Sequence, residues 1–387
     1  MARALELAER ALGLCSPNPA VGAVLVKDGR IVGEGWTQAP GQAHAEIVAL
    51  EQASEAAAGA TLYVTLEPCC HWGRTPPCTD ALLRARVREV HMAIIDPNPQ
   101  VAGKGRRQLE DAGIPTVLGE YEPEARRLND GYFKYIATGL PFVAVKWAMT
   151  LDGKIATRTG SSFWVTGEAA RARVARLRAV TDAVMVGVGT VLADDPQLTV
   201  RRESFPEPLR AELDQVARRQ PLRVILDSQA RTPPSARVAG GDLPGHTLIL
   251  VTERAPADRR AALQATAADV VTVPELDGRV HPRLAMDLLA EREITSVLVE
   301  AGGTLVASLL EARLVDKVYA FVAPKLVGGD MAPTPVEGSG CPEMAQAVAL
   351  RDLAIERLGD DLLIAGYLPT AADTQPDGLA VATGAAH

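Results

Sequence analysis

EPCCHWGRTPPC, residues 67–78, places eight residues between its first and last cysteines, and HAEIVAL, residues 44–50, precedes it with a histidine and a glutamate. HAEIVAL has the apolar spacing of a helix, which we expect over about 43–57. TLYVTL, residues 61–66, is rich in β-branched and aromatic residues and predicts a strand. TDALLRARV, residues 79–87, predicts the next helix. This succession of helix, strand and helix indicates an α/β fold.

The rest of the first 140 residues continues this alternation. Two β-rich runs around Asp28-Gly29 predict a hairpin over 21–36, because this dipeptide favours a tight two-residue turn. Further along, EVHMAII and IPTVL predict strands, the segment between them predicts a helix, and a long helix is predicted near 122–138. We expect these elements to form layers around a mostly parallel sheet.

A second α/β unit is predicted to begin at Pro141 with the strand PFVAVKWAM, because Gly139 ends the preceding helix. Five further strands are predicted at DAVMVGV, LRVILD, HTLILV, ADVVTV and TSVLVE, and a C-terminal hairpin is predicted to turn at Gly359-Asp360. The last residues are rich in Ala, Thr and Gly without periodicity, which indicates disorder. The predicted divisions are a first domain at 1–140, a second domain at 141–368 and a disordered tail at 369–387.

Composition and charge restrict the class of protein. The chain of 387 residues is long enough for two domains, and its apolar runs are far shorter than the roughly 20 residues of a membrane span. Its helical, mixed-charge N-terminus differs from a signal peptide, so we expect a cytoplasmic protein without a membrane partner. The net charge of −8 argues against a nucleic-acid partner, because phosphate backbones require a basic face. Three of five cysteines lie within ten residues, which favours a metal or catalytic site over disulfides.

His44, Cys69 and Cys78 form a candidate zinc site. Catalytic zinc commonly takes three protein ligands and keeps its fourth position for water. Cys78 follows two prolines at a predicted helix start, where the partial positive charge favours the thiolate that binds metal. Cys70 is a less suitable ligand, because its neighbour Cys69 already supplies that position. Taken singly, each cysteine also fits an ordinary small apolar residue, whereas the joint pattern favours zinc.

Glu46 lies two positions after His44, and in a first helical turn both side chains can converge beyond the helix end. A carboxylate there can take a proton from water activated by the metal and pass it to a leaving amine. Zinc nucleobase deaminases have the pattern H-x-E followed by P-C-x-x-C. This chain departs from it, with eight residues instead of two between Cys69 and Cys78. The alternative is a non-catalytic metal-binding module in which the helix dipole stabilises Glu46.

Together, the motifs PNPAVGAVLVKDGRIVGEGW, HAE and EPCCHWGRTPPC resemble the deaminase half of the bifunctional deaminase/reductase family of riboflavin biosynthesis, in which the longer cysteine spacing is typical. The resemblance covers nearly the whole chain, to about residue 368. It implies a cytidine-deaminase-like three-layer domain with one zinc ion per chain at His44, Cys69 and Cys78. It also implies that Glu46 carries the proton.

The same resemblance implies substrate contacts in the first domain at Asn18 and His71, and extends them to Arg74 and Thr75. From the sequence alone, Asn18 also fits a simple turn-former between two prolines. The family often has a second histidine seven positions before HAE, in the substrate pocket. Here that position is Thr37, so the resemblance leaves the details of this substrate contact open.

The second domain has weaker local signals. In SVLVEAGGTLVASLL, Gly302 and Gly303 follow a predicted strand and precede a helix, an arrangement that lets backbone N–H groups approach a phosphate. A tight strand–helix turn explains the same residues equally well. VGVGTVLADDPQLTVR again places glycines after a strand, and there the alternative is a capped turn.

Four motifs of this region, KWAMTLDGKIA, SSFWVTG, GTVLADDPQLTVR and VEAGGTL, resemble the reductase half of the same family, which has a dihydrofolate-reductase-like fold. The resemblance implies an NADPH site formed by Ala148, Trp164, Thr190, Asp194, Gly302, Gly303, Thr304, Leu305, Val306, Ala307 and Ser308. It implies substrate contacts at Ser162, Arg178, Leu198, Arg201 and Glu300. Arg178 and Arg201 suit a phosphate because guanidinium groups match its oxygens, although such arginines commonly lie on the surface.

These inferences predict a two-step enzyme of riboflavin synthesis. The first domain would deaminate a phosphorylated ribosylaminopyrimidine, and the second would reduce its ribosyl chain with NADPH. We also expect a homo-oligomer. The alternative is a nucleoside or tRNA deaminase fused to an unrelated dehydrogenase, which the acidic charge disfavours.

Overall fold

The computed structural model describes residues 1–208, 210–211 and 219–369, so residues 370–387 of the predicted tail lie outside the described residues. Two large β-sheets organise the chain, one of five strands and one of nine. Within the described residues, no helix is both long enough and apolar enough to cross a membrane.

The five-stranded sheet has the order β2-β1-β3-β4-β5. Its strands are β1 (Gly22–Lys27), β2 (Arg30–Trp36), β3 (Thr61–Val64), β4 (Glu89–Met92) and β5 (Thr116–Leu118). The predicted hairpin is confirmed: β1 and β2 join at Asp28 and Gly29, with positive φ angles of 49° and 73° that suit a tight turn. The expectation of a mostly parallel sheet is only half correct. β1 pairs antiparallel with β2 and β3, whereas β3, β4 and β5 pair in parallel.

Helices cover both faces of this sheet. They are α1 (Ala2–Glu9), α2 (Ala45–Ala53), α3 (Cys78–Ala85), α4 (Lys104–Asp111), α5 (Glu122–Leu128) and α6 (Asp130–Thr138). α2 packs closely on β2, since a Cβ atom at Gly35 would lie 2.2 Å from the carbonyl oxygen of Ala45. The prediction of one long helix near 122–138 is wrong. The chain breaks at Asn129, whose side chain exchanges hydrogen bonds with the backbone of Ala20.

The nine-stranded sheet has the order β10-β9-β8-β7-β13-β6-β14-β16-β15. Its strands are β6 (Phe142–Thr150), β7 (Ala183–Gly187), β8 (Leu222–Leu226), β9 (Thr247–Val251), β10 (Asp269–Thr272), β13 (Ser296–Val299), β14 (Lys317–Ala323), β15 (Arg351–Leu358) and β16 (Asp361–Tyr367). The strands from β10 to β14 in this order are parallel, and β16 and β15 are antiparallel additions. The five strands predicted after β6 and the C-terminal hairpin are therefore confirmed, whereas β14 was not predicted.

The remaining elements cover the large sheet or lie at its edge. The helices are α7 (Glu168–Val180), α8 (Val188–Asp194), α9 (Ala257–Gln264), α10 (Pro282–Glu291) and α11 (Gly303–Glu311), and a small hairpin is formed by β11 (Glu275–Leu276) and β12 (Arg279–Val280). Because six neighbouring pairs of strands are parallel, the loops after β6, β7, β8 and β13 meet at one end of the sheet, beside the carboxyl ends of these strands. Open α/β sheets bind ligands beside the carboxyl ends of their strands.

Candidate active sites

A histidine and two cysteines meet at the end of β3, between two helix N-termini. His44 is the N-cap residue of α2, Cys78 is the first residue of α3, and Cys69 lies in the loop between β3 and α3. The His44 Nδ1 atom lies 3.5 Å from the Cys69 sulfur and 3.3 Å from the Cys78 sulfur. Among the described residues, this is the one group of three or more His, Cys, Asp or Glu side chains with metal-ligand spacing.

The spacing of these atoms fits zinc. Zn–S and Zn–N bonds at a tetrahedral angle imply a nitrogen–sulfur separation of about 3.6 Å. One thiol is also prepared as a ligand: a hydrogen bond with Cys78 lowers the pKa of Cys69 to about 4, against the effect of burial, and His44 adds to the decrease. The same contact, together with burial, raises the pKa of Cys78, so the thiolate is favoured at Cys69 and not at the helix start. The Cys70 sulfur lies 3.9 Å from the carbonyl oxygen of Gln100, outside the cluster. This position agrees with the prediction that Cys70 is not a ligand.

Thr75 fixes the orientation of the histidine ring. Its Oγ1 lies 3.2 Å from the His44 Nε2 atom, on the side of the ring opposite the sulfurs. When Nε2–H donates to this hydroxyl, Nδ1 keeps its lone pair for a metal. Thr75, predicted as a substrate contact, therefore has a different contact in the structure.

We expect Thr75→Val to lower zinc affinity by roughly 10- to 100-fold, because an outer hydrogen-bond partner of a ligating histidine contributes that much. Thr75→Ser is the matched control, since it keeps the hydroxyl and should retain affinity. Competition with a chromophoric chelator measures both variants. Equal affinity in Thr75→Val and the wild type would contradict the assignment.

Glu46 is the buried acid beside the cluster, with 4% of its surface exposed. It lies in the first turn of α2, close to the Cys78 thiol. Burial raises the pKa of Glu46 to about 7, although the attraction of His44 opposes this shift. A carboxyl group with this pKa can both accept and return a proton near neutral pH.

Two predicted substrate contacts of the first domain lie on loops. Asn18 is half-buried in a turn in which its N–H donates to the carbonyl oxygen of Cys15. The Nδ1 atom of His71 is buried and has no hydrogen-bond partner in the described structure. Such an orphaned nitrogen suits a ligand, because an unpaired buried polar atom is costly.

Thr37, at the position where the family often has histidine, has a structural contact. The residue is 3% exposed, and its hydroxyl accepts the N–H of Val21 at 3.2 Å. The backbone N–H of Thr37 donates to the carbonyl oxygen of Val21. The threonine thus ties the end of β2 to the start of β1.

Sequence reasoning missed Glu67, which fixes the loop before Cys69. Glu67 is 3% exposed, and its carboxylate accepts the backbone N–H groups of Gly103 at 2.8 Å, Arg106 at 2.9 Å and Asp96 at 3.3 Å. An acidic residue directly before Pro-Cys was the available signal. Its partners, about 30 or more residues away, were not predictable.

A cavity of about 1230 Å³ opens beside the carboxyl ends of β6, β7, β8 and β13 in the nine-stranded sheet. Most of the residues predicted for the second domain line it. Those lining it are Ala148, Ser162, Trp164, Arg178, Thr190, Asp194, Leu198, Arg201, Glu300, Gly302, Thr304, Leu305 and Ser308. Ser228 and Lys146 line it too, and neither was predicted.

Three predicted cofactor residues do not line this cavity. Val306 and Ala307 are buried within α11. A Cβ atom at Gly303 would lie 2.6 Å from the carbonyl oxygen of Thr334, so this glycine allows close packing. By contrast, a Cβ atom at Gly302 would meet nothing within 4 Å, which leaves the cavity open at the N-terminus of α11.

A buried ion pair forms one wall of the cavity. Arg178 binds Glu300 through two hydrogen bonds, Nε–Oε1 at 2.5 Å and NH2–Oε2 at 3.0 Å, and Lys146 lies 3.4 Å from Oε2. Burial alone would raise the pKa of Glu300, but Arg178 and Lys146 lower it to about 2. Arg178 also donates to the carbonyl oxygen of Thr199, so its guanidinium group is already engaged within the protein.

Arg201 and Arg237 give the cavity mouth a positive charge. Both line the cavity and are exposed. Burial of part of Arg201, together with Arg178 and Arg237, lowers its pKa, and Glu203 only partly opposes the shift. This excess of positive charge suits a phosphate group, and Arg201 is better placed for that role than the paired Arg178.

Comparison with known proteins decides the family. The model of the cytidine and deoxycytidylate deaminase zinc-binding region matches residues 1–94, and the RibD C-terminal domain matches 141–364. Riboflavin biosynthesis protein RibD of Actinobacillus pleuropneumoniae is 42% identical over 364 residues, which are 94% of this chain and 93% of that protein. The chain belongs to the RibD family.

Solved structures agree with the family assignment. Acinetobacter baumannii RibD superposes with a TM-score of 0.81 at 39% identity, covering 95% of this chain and 98% of that chain. A Thermotoga maritima diaminohydroxyphosphoribosylaminopyrimidine deaminase/5-amino-6-(5-phosphoribosylamino)uracil reductase superposes with a TM-score of 0.80 at 34% identity, covering 95% and 97%.

RibD membership confirms the predicted fold class: an N-terminal cytidine-deaminase-like domain and a C-terminal dihydrofolate-reductase-like domain. The chain is a bifunctional enzyme of riboflavin biosynthesis, a deaminase and a reductase, with zinc and NADPH as cofactors. One family matches across almost the whole chain, so the alternative of an unrelated dehydrogenase fused to a nucleoside or tRNA deaminase is not favoured.

Proposed function

We propose that this RibD protein hydrolyses the 2-amino group of 2,5-diamino-6-(ribosylamino)-4(3H)-pyrimidinone 5′-phosphate and then reduces the ribosyl chain of the product to a ribityl chain. The donor set of His44, Cys69 and Cys78, with Glu46 buried beside it, carries the proposal. Zinc at this position supplies the positive charge that acidifies a water molecule.

The first domain's own residues carry the proton in the deamination. Glu46 takes a proton from water as the oxygen adds to the ring carbon, and it passes this proton to the ring nitrogen that was double-bonded to that carbon. It then takes the proton of the added hydroxyl group, which becomes the carbonyl, and gives it to the amino nitrogen, which leaves as ammonia. The orphaned Nδ1 of His71 and the amide group of Asn18 supply hydrogen bonds to the pyrimidine. Water and the amine thus become a ring carbonyl group and ammonia, and Glu46 ends in its original state.

The cavity of the second domain carries the reduction. NADPH supplies the hydride, and the protein orients C4 of the nicotinamide against the sugar. Gly302 and Thr304 at the N-terminus of α11 suit a cofactor phosphate, because backbone N–H groups point from a helix N-terminus. Arg201 suits the phosphate of the substrate, and the Glu300–Arg178 pair shapes the adjoining wall.

The order of the two steps is tested with the full chain. With the diaminopyrimidinone ribosylamine 5′-phosphate, we expect ammonia release first and NADPH oxidation after a lag. Adding the deaminated compound directly should remove the lag. Ammonia release from cytidine or tRNA, with none from the ribosylaminopyrimidine, would contradict the proposed substrate.

We propose a domain boundary between Leu140 and Pro141, the cytoplasm as the location, and no nucleic acid among the partners. The start of the RibD C-terminal match at residue 141 supports the boundary. Cysteine thiols persist in a reducing compartment, which supports the location. A chain split after Leu140 and co-expressed as two pieces tests the boundary, and insoluble pieces would contradict it. Cell fractionation tests the location, which recovery in an extracellular fraction would contradict.

We also propose a homo-oligomer formed through β15. This strand lies at the edge of the large sheet, with 60% of Leu353 and 69% of Ile355 exposed. Apolar side chains on an edge strand suit pairing with a second copy. Sedimentation should give a multiple of the 40.9 kDa monomer mass, and Ile355→Asp should give the monomer. A monomeric wild type would contradict this proposal.

A further inference from the structure

The loop that carries Asn18 is held at both ends, and one of the two contacts comes from the reductase half. On the downstream side, Asn129 accepts the N–H of Ala20 at 2.8 Å and donates to its carbonyl oxygen at 2.9 Å. On the upstream side, the hydroxyl of Ser16 donates to Oδ2 of Asp182 at 2.8 Å. The loop of Asn18 is therefore held by a carboxylate that lies 166 residues beyond Ser16 in the sequence.

Asp182 is a rigid anchor for this contact. It is 4% exposed, and Oδ2 also accepts the N–H and hydroxyl of Thr295, at 2.9 and 2.8 Å, and the N–H of Ser296 at 3.1 Å. Arg219 binds the other carboxylate oxygen. Hydrogen bonds to a charged acceptor are roughly twice as strong as neutral ones. The contacts within the reductase half therefore hold the Asp182 carboxylate in place independently of the loop of Asn18.

The backbone near Ser16 also packs directly on the reductase half. A Cβ atom at Gly13 would lie 2.1 Å from the carbonyl oxygen of Ala179, at the end of α7. On the other side of the same interface, a Cβ atom at Gly131 in α6 would lie 3.2 Å from the carbonyl oxygen of Thr295. Two backbone segments of the first domain thus pack on the reductase half close to Asp182.

The turn after α10 contacts a second loop of the deaminase pocket. Glu293 lies 3.2 Å from Arg74, on the loop that joins Cys69 to Cys78 and carries His71. Both side chains are more than half exposed, so the ion pair contributes little energy by itself. Thr295 Oγ1 in turn lies 3.2 Å from Ser16 Oγ, so Glu293 and Thr295 together touch both loops that bear the proposed substrate contacts.

We propose that the reductase half forms the base of the deaminase substrate pocket, with Asp182 acting through Ser16 as a positioning residue for the loop of Asn18. The inference rests on the proposed function, in which Asn18 contacts the pyrimidine. Binding of the deamination substrate then depends on the second domain, even though all zinc donors and Glu46 belong to the first. The fusion of the two domains has a structural role in addition to joining two steps.

Steady-state deamination by the full-length Ser16→Ala enzyme tests the proposal. We expect KM to rise about tenfold while kcat changes by less than about twofold, because the loop binds substrate without touching the reacting proton. Zinc content should not change. Ser296→Ala is the matched control: it removes a hydroxyl from the same carboxylate at 3.1 Å, but both partners lie in the reductase half. This control should retain the wild-type KM.

Asn18→Ala separates this inference from the proposed function. If Asn18→Ala raises KM and Ser16→Ala does not, the substrate contact holds and the positioning role is wrong. If Asn18→Ala leaves KM unchanged, the proposed contact itself is wrong. An equal rise of KM in Ser16→Ala and Ser296→Ala would overturn the inference, because the effect would then be a general loss of stability around Asp182.

Discussion

Replacement of Glu46 by Gln is expected to lower the rate of ammonia release by roughly 10²- to 10⁴-fold, the usual contribution of general acid–base catalysis. The amide keeps the shape of the buried side chain but can no longer take up a proton. Zinc content should remain at one per chain, since His44, Cys69 and Cys78 are untouched. NADPH oxidation with the deaminated substrate should proceed at the wild-type rate, because the reductase cavity lies at the carboxyl ends of strands in the nine-stranded sheet, whereas Glu46 belongs to the first domain.

Glu51→Gln is the matched control for this variant. Glu51 lies on the same helix and is exposed, so the change in charge is equal and the change in chemistry is absent. Deamination by Glu51→Gln should stay at the wild-type rate. Substantial ammonia release by Glu46→Gln would contradict the role of Glu46 as the proton carrier and favour a purely structural carboxylate.

Replacement of Glu300 by Gln is expected to lower kcat/KM for the reduction by roughly 100-fold or more. The substitution leaves Arg178 and Lys146 without their shared carboxylate in a wall where Glu300 is 7% exposed, and removing one partner of a buried pair costs about 3–5 kcal/mol. The two cations then repel each other and displace the wall of the cavity. NADPH oxidation at saturating deaminated substrate, together with KM, measures the loss.

Two further variants make this result specific. Arg178→Lys keeps the positive charge but loses the two-point contact with Glu300, so we expect a smaller loss of the same kind. It also remains informative if Glu300→Gln does not fold. Glu343→Gln, a change at an exposed position of the same half, should reduce substrate normally. Wild-type reduction by both Glu300→Gln and Arg178→Lys would contradict the role of the pair.

Short-range patterns in the sequence were sufficient for the zinc site. Cys69 and Cys78 are nine positions apart, and His44 begins the helix that packs beside them. Because His44 and Cys78 lie at predictable helix starts and Cys69 lies on the short loop between a predictable strand and helix, the sequence pattern and the cluster of three donors agree. The contact of Thr75 with the histidine ring was not predictable, since it depends on how the loop between the cysteines folds back.

The reductase cavity was harder to predict, because parallel strands bring distant residues together. Lys146 is at β6, Arg178 on α7 and Glu300 just after β13, so neither local spacing nor periodicity connects them. The resemblance supplied Arg178 and Glu300 and missed Lys146. The break between α5 and α6 has a similar cause: Asn129 leaves the helical path because its amide group bonds Ala20, more than 100 residues away.

We infer that His44, Cys69 and Cys78 would hold one zinc ion and leave its fourth position open to water, with Cys70 outside the site. X-ray absorption at the zinc edge of the purified full-length enzyme tests it most directly. We predict two sulfur neighbours at about 2.3 Å and two nitrogen or oxygen neighbours at about 2.0 Å. Three sulfur neighbours would contradict the claim, because Cys70 would then be a ligand and the open position would be lost.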